Sequence, residues 1–154
     1  MSSVTEGTSR GERTRDAILA AATERFARDG YARTSVADIS RDAGIGGTTA
    51  YVHYENKETL FLAAVDADLT ALFGEFGDTL ARLAPDERPA DRILDAVLST
   101  VADHPLAERL LAGLEPTFTE RVLQSEAFGE LRRVVADLLR AGQDEGRIRP
   151  DVDA

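Results

Sequence analysis

The chain has 154 residues, of which 43% are hydrophobic and 30% charged, and its formal net charge is −10. This composition is typical of a soluble globular protein and excludes a largely disordered chain or a bundle of membrane-spanning helices. Cysteine is absent, which excludes disulfides, thiolate catalysis and cysteine-bound zinc, and we expect a cytoplasmic protein.

The acidic charge is concentrated in the C-terminal part of the chain. Residues 1–60 carry 8 basic and 9 acidic side chains, whereas residues 61–154 carry 10 basic and 19 acidic ones. Binding to nucleic acid depends on the local surface more than on the total charge. The nearly neutral N-terminal part is therefore still a candidate for contact with DNA.

The first predicted helix runs from about Arg13 to Asp29, because apolar residues recur there at helical spacing. Gly30 follows directly, and a glycine in the left-handed conformation is a common end of a helix. We therefore expect the first helix to stop at Gly30. The apolar residues on its predicted buried face are Ile18, Leu19, Ala22 and Phe26.

Two short helices are predicted next. Ser35 precedes an apolar periodic run and has Asp38 three residues later, which resembles the start signal called a capping box. The second helix is therefore predicted over 36–43, and Gly44 breaks it. A third short helix is predicted over 47–54.

A long fourth helix is predicted to begin at Lys57, since Asn56 is a good N-cap residue. Gly74 and Gly77 fall inside this helix, and we expect them to bend it or to end it early. Its apolar residues form two neighbouring stripes at helical spacing. One stripe contains Leu69, Phe73, Phe76, Leu80 and Leu83, and the other contains Phe61, Val65 and Leu72.

The remainder of the chain also has helical patterns. Pro85 and Pro89 predict a loop, and no run of alternating polar and apolar residues indicates a strand. The predicted helices beyond this loop cover 91–102, 106–114 and a last helix that starts at Pro116 or Thr119 and ends at Gln143. The fold class is therefore predicted to be all-α.

The stretch GIGGTTAYVHYENKETLF, over 44–61, joins two short helices through a glycine turn, as in a helix-turn-helix whose second helix enters the major groove. The hydroxyl and methyl groups of Thr48 and Thr49 suit phosphates, bases or a thymine methyl. Tyr51 and His53 can donate to phosphate oxygens. Lys57 lies in the first turn of a helix, where the helix dipole disfavours a cation. A phosphate beside Lys57 would explain this position.

These residues resemble the DNA-binding domain of the tetracycline repressor (TetR) family. The matching segments within 14–62 are TRDAILAAATERFARDGYARTSVADIS, AGI and TAYVHYENKETLF. The resemblance implies a helix-turn-helix domain over 12–71 and a helical effector-binding and dimerisation domain over 72–154. The second domain is predicted to be incomplete at its C-terminus. The implied function is a transcriptional regulator, a repressor released from its operator by a small molecule, with no cofactor and no enzymatic activity.

The resemblance also implies partners and further site residues. The partners are double-stranded DNA with a pseudo-palindromic operator, a small-molecule effector and a second copy of the chain. Thr34 and Ser35 are either helix caps alone or also phosphate contacts. The effector pocket would be lined by Phe73, Phe76, Leu110 and Phe118, although such stripes more often form an ordinary core.

The chain departs from the family pattern where the third helix opens. Family members commonly have a basic side chain at the position of Gly47, and a glycine inside a helix costs about 1 kcal/mol relative to alanine. We therefore expect fewer side-chain contacts with bases here and a closer approach of the backbone to DNA. Ala50 and Tyr54 are expected to belong to the core.

Two other classes of function were weighed against DNA binding. The glycine pair at 46–47 and the acidic charge would also suit a helical protein-interaction module with a vestigial helix-turn-helix. A gel shift with DNA would distinguish this alternative from a DNA-binding regulator. An enzyme has no support, because the sequence contains no zinc-protease, nucleophile-elbow or P-loop motif.

Overall fold

The computed structural model describes residues 10–82, 95, 98–144, 146 and 149. All regular secondary structure in these residues is helical, which confirms the predicted all-α class. Residues 98–102 are also helical. The main helices are α1 (Arg10–Arg33), α2 (Val36–Asp42), α3 (Thr49–His53), α4 (Lys57–Arg82), α5 (Pro105–Leu111), a 3₁₀ turn (Pro116–Phe118), α6 (Thr119–Leu123) and α7 (Glu126–Asp144).

The predicted starts of α2 and α4 are confirmed by their caps. The Oγ atom of Ser35 accepts a hydrogen bond from the backbone N–H of Asp38 at 3.1 Å. Oδ1 of Asn56 accepts one from the N–H of Thr59 at 2.8 Å. Both bonds satisfy amide groups that have no partner inside the helix. The break predicted at Gly44 is also present, and Gly44 is left-handed there with a φ of 67°.

The predicted interruption of the first helix at Gly30 is confirmed, since Gly30 is non-helical at φ 78° and ψ 167°, and a further helical stretch follows it to Arg33 within α1. Other predicted boundaries are wrong. Helix α3 begins at Thr49, so Gly47 lies in the preceding turn and the cost of a glycine inside a helix does not apply to it. The single last helix is divided into α6 and α7, with the break at Gln124 and Ser125.

Helix α4 is helical through both Gly74 and Gly77 as far as Arg82. It therefore passes without interruption from the N-terminal helices to the C-terminal ones. The loop predicted at Pro85 and Pro89, Leu83 and half of the helix predicted over 91–102 lie outside the described residues, as does the side chain of Leu80.

The centre of the molecule is a group of four aromatic rings, which we call the aromatic cluster: Phe26, Tyr31, Phe61 and Phe118. The ring of Phe61 lies 5.0 Å from that of Phe26, 5.2 Å from that of Tyr31 and 4.6 Å from that of Phe118, measured between centroids. Edge-to-face contacts at such distances are favourable beyond the area they bury. The cluster thus joins α1 and α4 to the 3₁₀ turn.

Candidate DNA-binding site

Helix α3 is held against the core by two residues at helical spacing. Ala50 and Tyr54 are buried, as the sequence predicted, and they lie one turn apart. Residues placed between them point away from the core. Accordingly Tyr51 is 54% exposed and Val52 is 81% exposed. Helix α3 therefore presents a free face that carries one aromatic hydroxyl and one branched apolar side chain.

All but one of the predicted contact residues are exposed or half-buried. Ser35, Gly47, Thr48 and Tyr51 are exposed, and Thr49, His53 and Lys57 are half-buried.

Thr34 is the exception among the predicted contacts. Its side chain is only 3% exposed, and its hydroxyl donates to the carbonyl of Gly30 at 2.8 Å. The buried hydroxyl closes the end of α1, so the structure leaves Thr34 no side-chain surface for a phosphate.

Lys57 has partners within the protein that the sequence did not reveal. Its Nζ donates to the carbonyl of Tyr31 at 2.9 Å and to that of Thr34 at 3.0 Å, and it lies 4.2 Å from the centre of the Tyr31 ring. These contacts explain the position of the cation without a phosphate, because carbonyls at the end of α1 favour positive charge. Two of the three ammonium hydrogens are thereby used.

Val52 is a surface residue that the set of predicted contacts omits. The spacing of Ala50 and Tyr54 contains the signal for it, since position 52 lies on the opposite side of the helix. A branched apolar side chain at this point suits contact with a thymine methyl.

An ion pair fixes α2 on α1. The guanidinium of Arg25 donates to both carboxylate oxygens of Asp42, through Nε at 2.7 Å and through Nη2 at 2.9 Å, and it also pairs with Asp29. Such a two-pronged pair is directional as well as favourable. The hydrogen bond from Arg25 lowers the pKa of Asp42 below its ordinary value of 3.8. The pair thus holds the end of α2 in one position relative to α1.

This lowered pKa predicts a pH-dependent contribution to stability. A carboxylate whose pKa is lower in the folded state stabilises the protein above its unfolded pKa, and this contribution disappears as the pH falls through the folded pKa. We expect Asp42→Asn to unfold at a lower temperature than the wild type at pH 7. The difference should shrink below pH 3.8. Thermal unfolding followed by circular dichroism between pH 7 and 3 measures it, and a constant difference would contradict the role of Asp42.

Two adjacent apolar cavities lie among the C-terminal helices. The first has a volume of about 180 Å³ and the second about 200 Å³. Leu111 borders both, and the rings of Phe73 and Phe128, one in each cavity wall, meet edge to face at 5.4 Å. The other lining residues are Leu72, Phe76, Thr100, Val101 and Leu131 in the first cavity and Leu69, Leu110, Thr119, Val122 and Leu123 in the second.

The residues predicted to line the effector pocket do not all line the same cavity. Phe73 and Phe76 line the first cavity and Leu110 lines the second. Phe118 lines neither of the two, because its ring packs against Tyr31 and Phe61 in the aromatic cluster. Its assignment to an effector pocket stays a prediction, which these two cavities do not support.

The described residues contain neither a metal site nor a membrane-spanning helix. No three histidine, aspartate or glutamate side chains there are grouped in a way that could hold a metal ion. None of the helices in the described ranges is both long and apolar enough to cross a membrane.

Comparison with known proteins agrees with this geometry. Residues 18–64 match the model of the bacterial regulatory proteins of the tetR family. The transcriptional repressor NicS of Pseudomonas putida is 28% identical, over 92% of this chain and 68% of its own length. A TetR family transcription regulator from Marinobacter aquaeolei has a TM-score of 0.67 and 27% identity, over 93% of this chain and 75% of its own.

A more distant structure shares the fold. The transcriptional regulator FadR from Bacillus subtilis, solved in complex with stearoyl-CoA, has a TM-score of 0.72 at 20% identity, over 90% of this chain and 76% of its own. The family model covers α2, α3 and the turn between them, which are the elements that form the exposed surface described above. Over residues 18–64, the chain is therefore similar to the bacterial regulatory proteins of the tetR family.

Proposed function

We propose that the chain is a transcriptional repressor that binds duplex DNA through α3 and is released by a small apolar effector. The observation that carries this proposal is the position of α3. Its buried residues fix it firmly to the core, while Tyr51 and Val52 remain exposed on its outer face. A rigid helix with a free polar and apolar face is what insertion into a major groove requires.

The exposed groups divide into two kinds of contact. Thr48, Thr49, Tyr51 and His53 carry groups that donate to phosphate oxygens and so fix the position of α3 on the duplex. Val52, the more exposed of the two outer residues, is the side chain that reads a base, through the methyl group of thymine. Gly47 in the preceding turn has no neighbour within 4 Å of where a Cβ would stand, so its backbone can approach the phosphates closely.

The partners in this mechanism are a second protomer and an effector. Two protomers would place their α3 helices in successive major grooves, about 34–36 Å apart, on a pseudo-palindromic operator. The effector would occupy the two cavities that share Leu111. Each cavity is smaller than the roughly 300–1,000 Å³ of an ordinary ligand site, so an effector that spans both must widen the space between them. Release from DNA then follows from a higher affinity of the effector for the widened conformation.

Removing the hydroxyl and ring of Tyr51 tests DNA binding directly. We expect Tyr51→Ala to raise the dissociation constant for duplex DNA at least tenfold, because a lost hydrogen bond to a charged phosphate costs about 1.5–3 kcal/mol. The measurement is a fluorescence-anisotropy titration with duplexes that span the region upstream of the protein's own gene.

The matched control is Leu114→Ala, which truncates a similarly exposed side chain in the C-terminal half. This control should bind DNA as the wild type does. If the wild type binds none of the duplexes at low salt, the repressor proposal fails and the interaction module becomes the better interpretation. Equal affinities of the two variants would remove Tyr51 from the contact surface.

A further inference from the structure

Directly after the break in α1 at Gly30, a backbone amide donates a hydrogen bond to a residue far along the chain. Gly30 has φ 78° and ψ 167°, outside the helical region. The next amide, that of Tyr31, donates to Oε1 of Glu115 at 3.0 Å. Glu115 lies 84 positions further along, directly before the 3₁₀ turn. Glu115, in the C-terminal half, thus binds the backbone near the end of α1, just before the chain continues into α2 and α3.

Glu115 is itself held by Arg109 of α5. Nε of Arg109 donates to the same Oε1 atom at 2.9 Å. Both side chains are largely buried, with 21% of Arg109 and 11% of Glu115 exposed. A buried charge-assisted bond of this kind has a fixed geometry, because neither group can turn to water without losing its partner.

Glycine is required at position 30 for two independent reasons. Its positive φ is strained for any side chain. A Cβ atom there would also overlap Nη2 of Arg109 and lie 2.9 Å from Oε1 of Glu115. The backbone of α1 and the Arg109–Glu115 pair are therefore packed directly on each other.

The same short segment, 30–34, leads into α2 and has a second attachment through Lys57. The carbonyls of Tyr31 and Thr34 bind Nζ of Lys57, while the amide of Tyr31 binds Glu115. The attachment through Lys57 comes from α4, directly after α3. The attachment through Glu115 comes from the C-terminal part, where Leu110 and Leu111 follow Arg109 directly and line the cavities.

We propose that the Arg109–Glu115 pair is the positioning contact by which the C-terminal helices set the direction of α2 and α3. The pair holds segment 30–34 in the orientation that fits the operator. A molecule that displaces Leu110 and Leu111 also displaces Arg109 and withdraws Glu115 from Tyr31. This inference rests on the proposed function and names the residues that would carry its regulation.

Two measurements on Glu115→Ala test the pair. The first is hydrogen exchange of the Tyr31 amide by NMR, which we expect to accelerate at least tenfold because its acceptor is gone. The second is the dissociation constant for the upstream duplex. We expect this dissociation constant to rise about tenfold. A rise of that size corresponds to a variant in which only about a tenth of the molecules keep the binding orientation. Glu115→Gln, which retains an acceptor oxygen, should restore most of both losses.

A second variant and a matched control complete the test. Arg109→Ala leaves Glu115 in place but removes its anchor, and it should weaken DNA binding about threefold. Arg121→Ala removes another arginine that joins the two halves, through Glu58, but this pair is exposed and does not touch the α1 break. The control should leave both the exchange of the Tyr31 amide and DNA binding unchanged.

The outcomes separate this inference from the proposed function. Faster exchange of the Tyr31 amide together with an unchanged or tighter operator complex would overturn it, as would unchanged exchange in Glu115→Ala. If the wild type binds no DNA, the proposed function fails, whereas the exchange experiment still shows whether Glu115 holds α1. Thermal midpoints are measured for all four variants, and binding is compared well below the lowest of them. Equal losses of affinity in Arg121→Ala and Arg109→Ala would overturn the assignment to this pair.

Discussion

Replacement of Phe61 by alanine is expected to destabilise the protein by about 3–5 kcal/mol. Phe61 is fully buried and its ring contacts the rings of Phe26, Tyr31 and Phe118. These contacts come from α1, from the end of α1 after Gly30 and from the 3₁₀ turn. A cavity at this point therefore weakens the packing of the N-terminal helices against the C-terminal ones. Chemical denaturation followed by circular dichroism measures the loss.

Phe76→Ala is the matched control for this substitution. The same atoms are removed, but Phe76 is only half-buried and borders a cavity that already exists. Its surroundings lose less packing, so the loss of stability should be clearly smaller. Equal losses of stability in the two variants would show that the aromatic cluster does not stabilise the fold more than the half-buried Phe76 does.

The local elements were predictable because their signals lie within a few residues. Ser35 and Asn56 cap α2 and α4 through amides three residues away, and Gly44 ends α2 by its own conformation. The break between α6 and α7 also had such a signal, which the prediction passed over. Ser125 stands before α7, and its Oγ accepts from the amide of Phe128 at 3.5 Å, the arrangement of an N-cap.

The candidate site was only partly predictable, because some roles depend on distant residues. The periodicity of α3 indicates that Ala50 and Tyr54 are inside, which leaves the outer face free. Nothing near Lys57 in the sequence shows that its partners are carbonyls 26 and 23 positions earlier. The assignment of Phe118 to a pocket has a similar cause. The sequence spacing of an aromatic residue is the same whether its ring lines a cavity or packs against other rings, so spacing alone does not distinguish the two.

Asp68→Ala is the second substitution with a large expected effect. Oδ2 of Asp68, on α4, accepts from the amide of Ala107 in α5 at 2.9 Å, and Oδ1 lies 3.0 Å from Nδ1 of His104. A carboxylate only accepts, so Nδ1 carries the hydrogen when the ring is neutral. Both His104 and Asp68 are buried, with side chains 8% and 9% exposed. Removing the carboxylate leaves two buried donors without a partner.

Each unsatisfied buried donor costs about 1–3 kcal/mol, so we expect Asp68→Ala to lose about 3 kcal/mol in chemical denaturation. Asp66→Ala is the control, since Asp66 lies one half-turn earlier on α4 and accepts a single bond, from the amide of Ala127 at 3.4 Å. A loss no larger than that of the control would contradict the role of Asp68.

The double variant Asp68→Ala with His104→Leu separates the histidine contact from the amide contact. If His104 is destabilised by the lost carboxylate, replacing it with an apolar side chain should recover part of the stability, and the two effects will not add. The amide of Ala107 stays unsatisfied in both variants, so recovery should be incomplete. The part of the stability that is not recovered measures the contribution of the bond between Asp68 of α4 and the start of α5. Later residues of α5, namely Arg109, Leu110 and Leu111, connect the cavities to α1. Strictly additive losses would mean that the histidine and the carboxylate act independently.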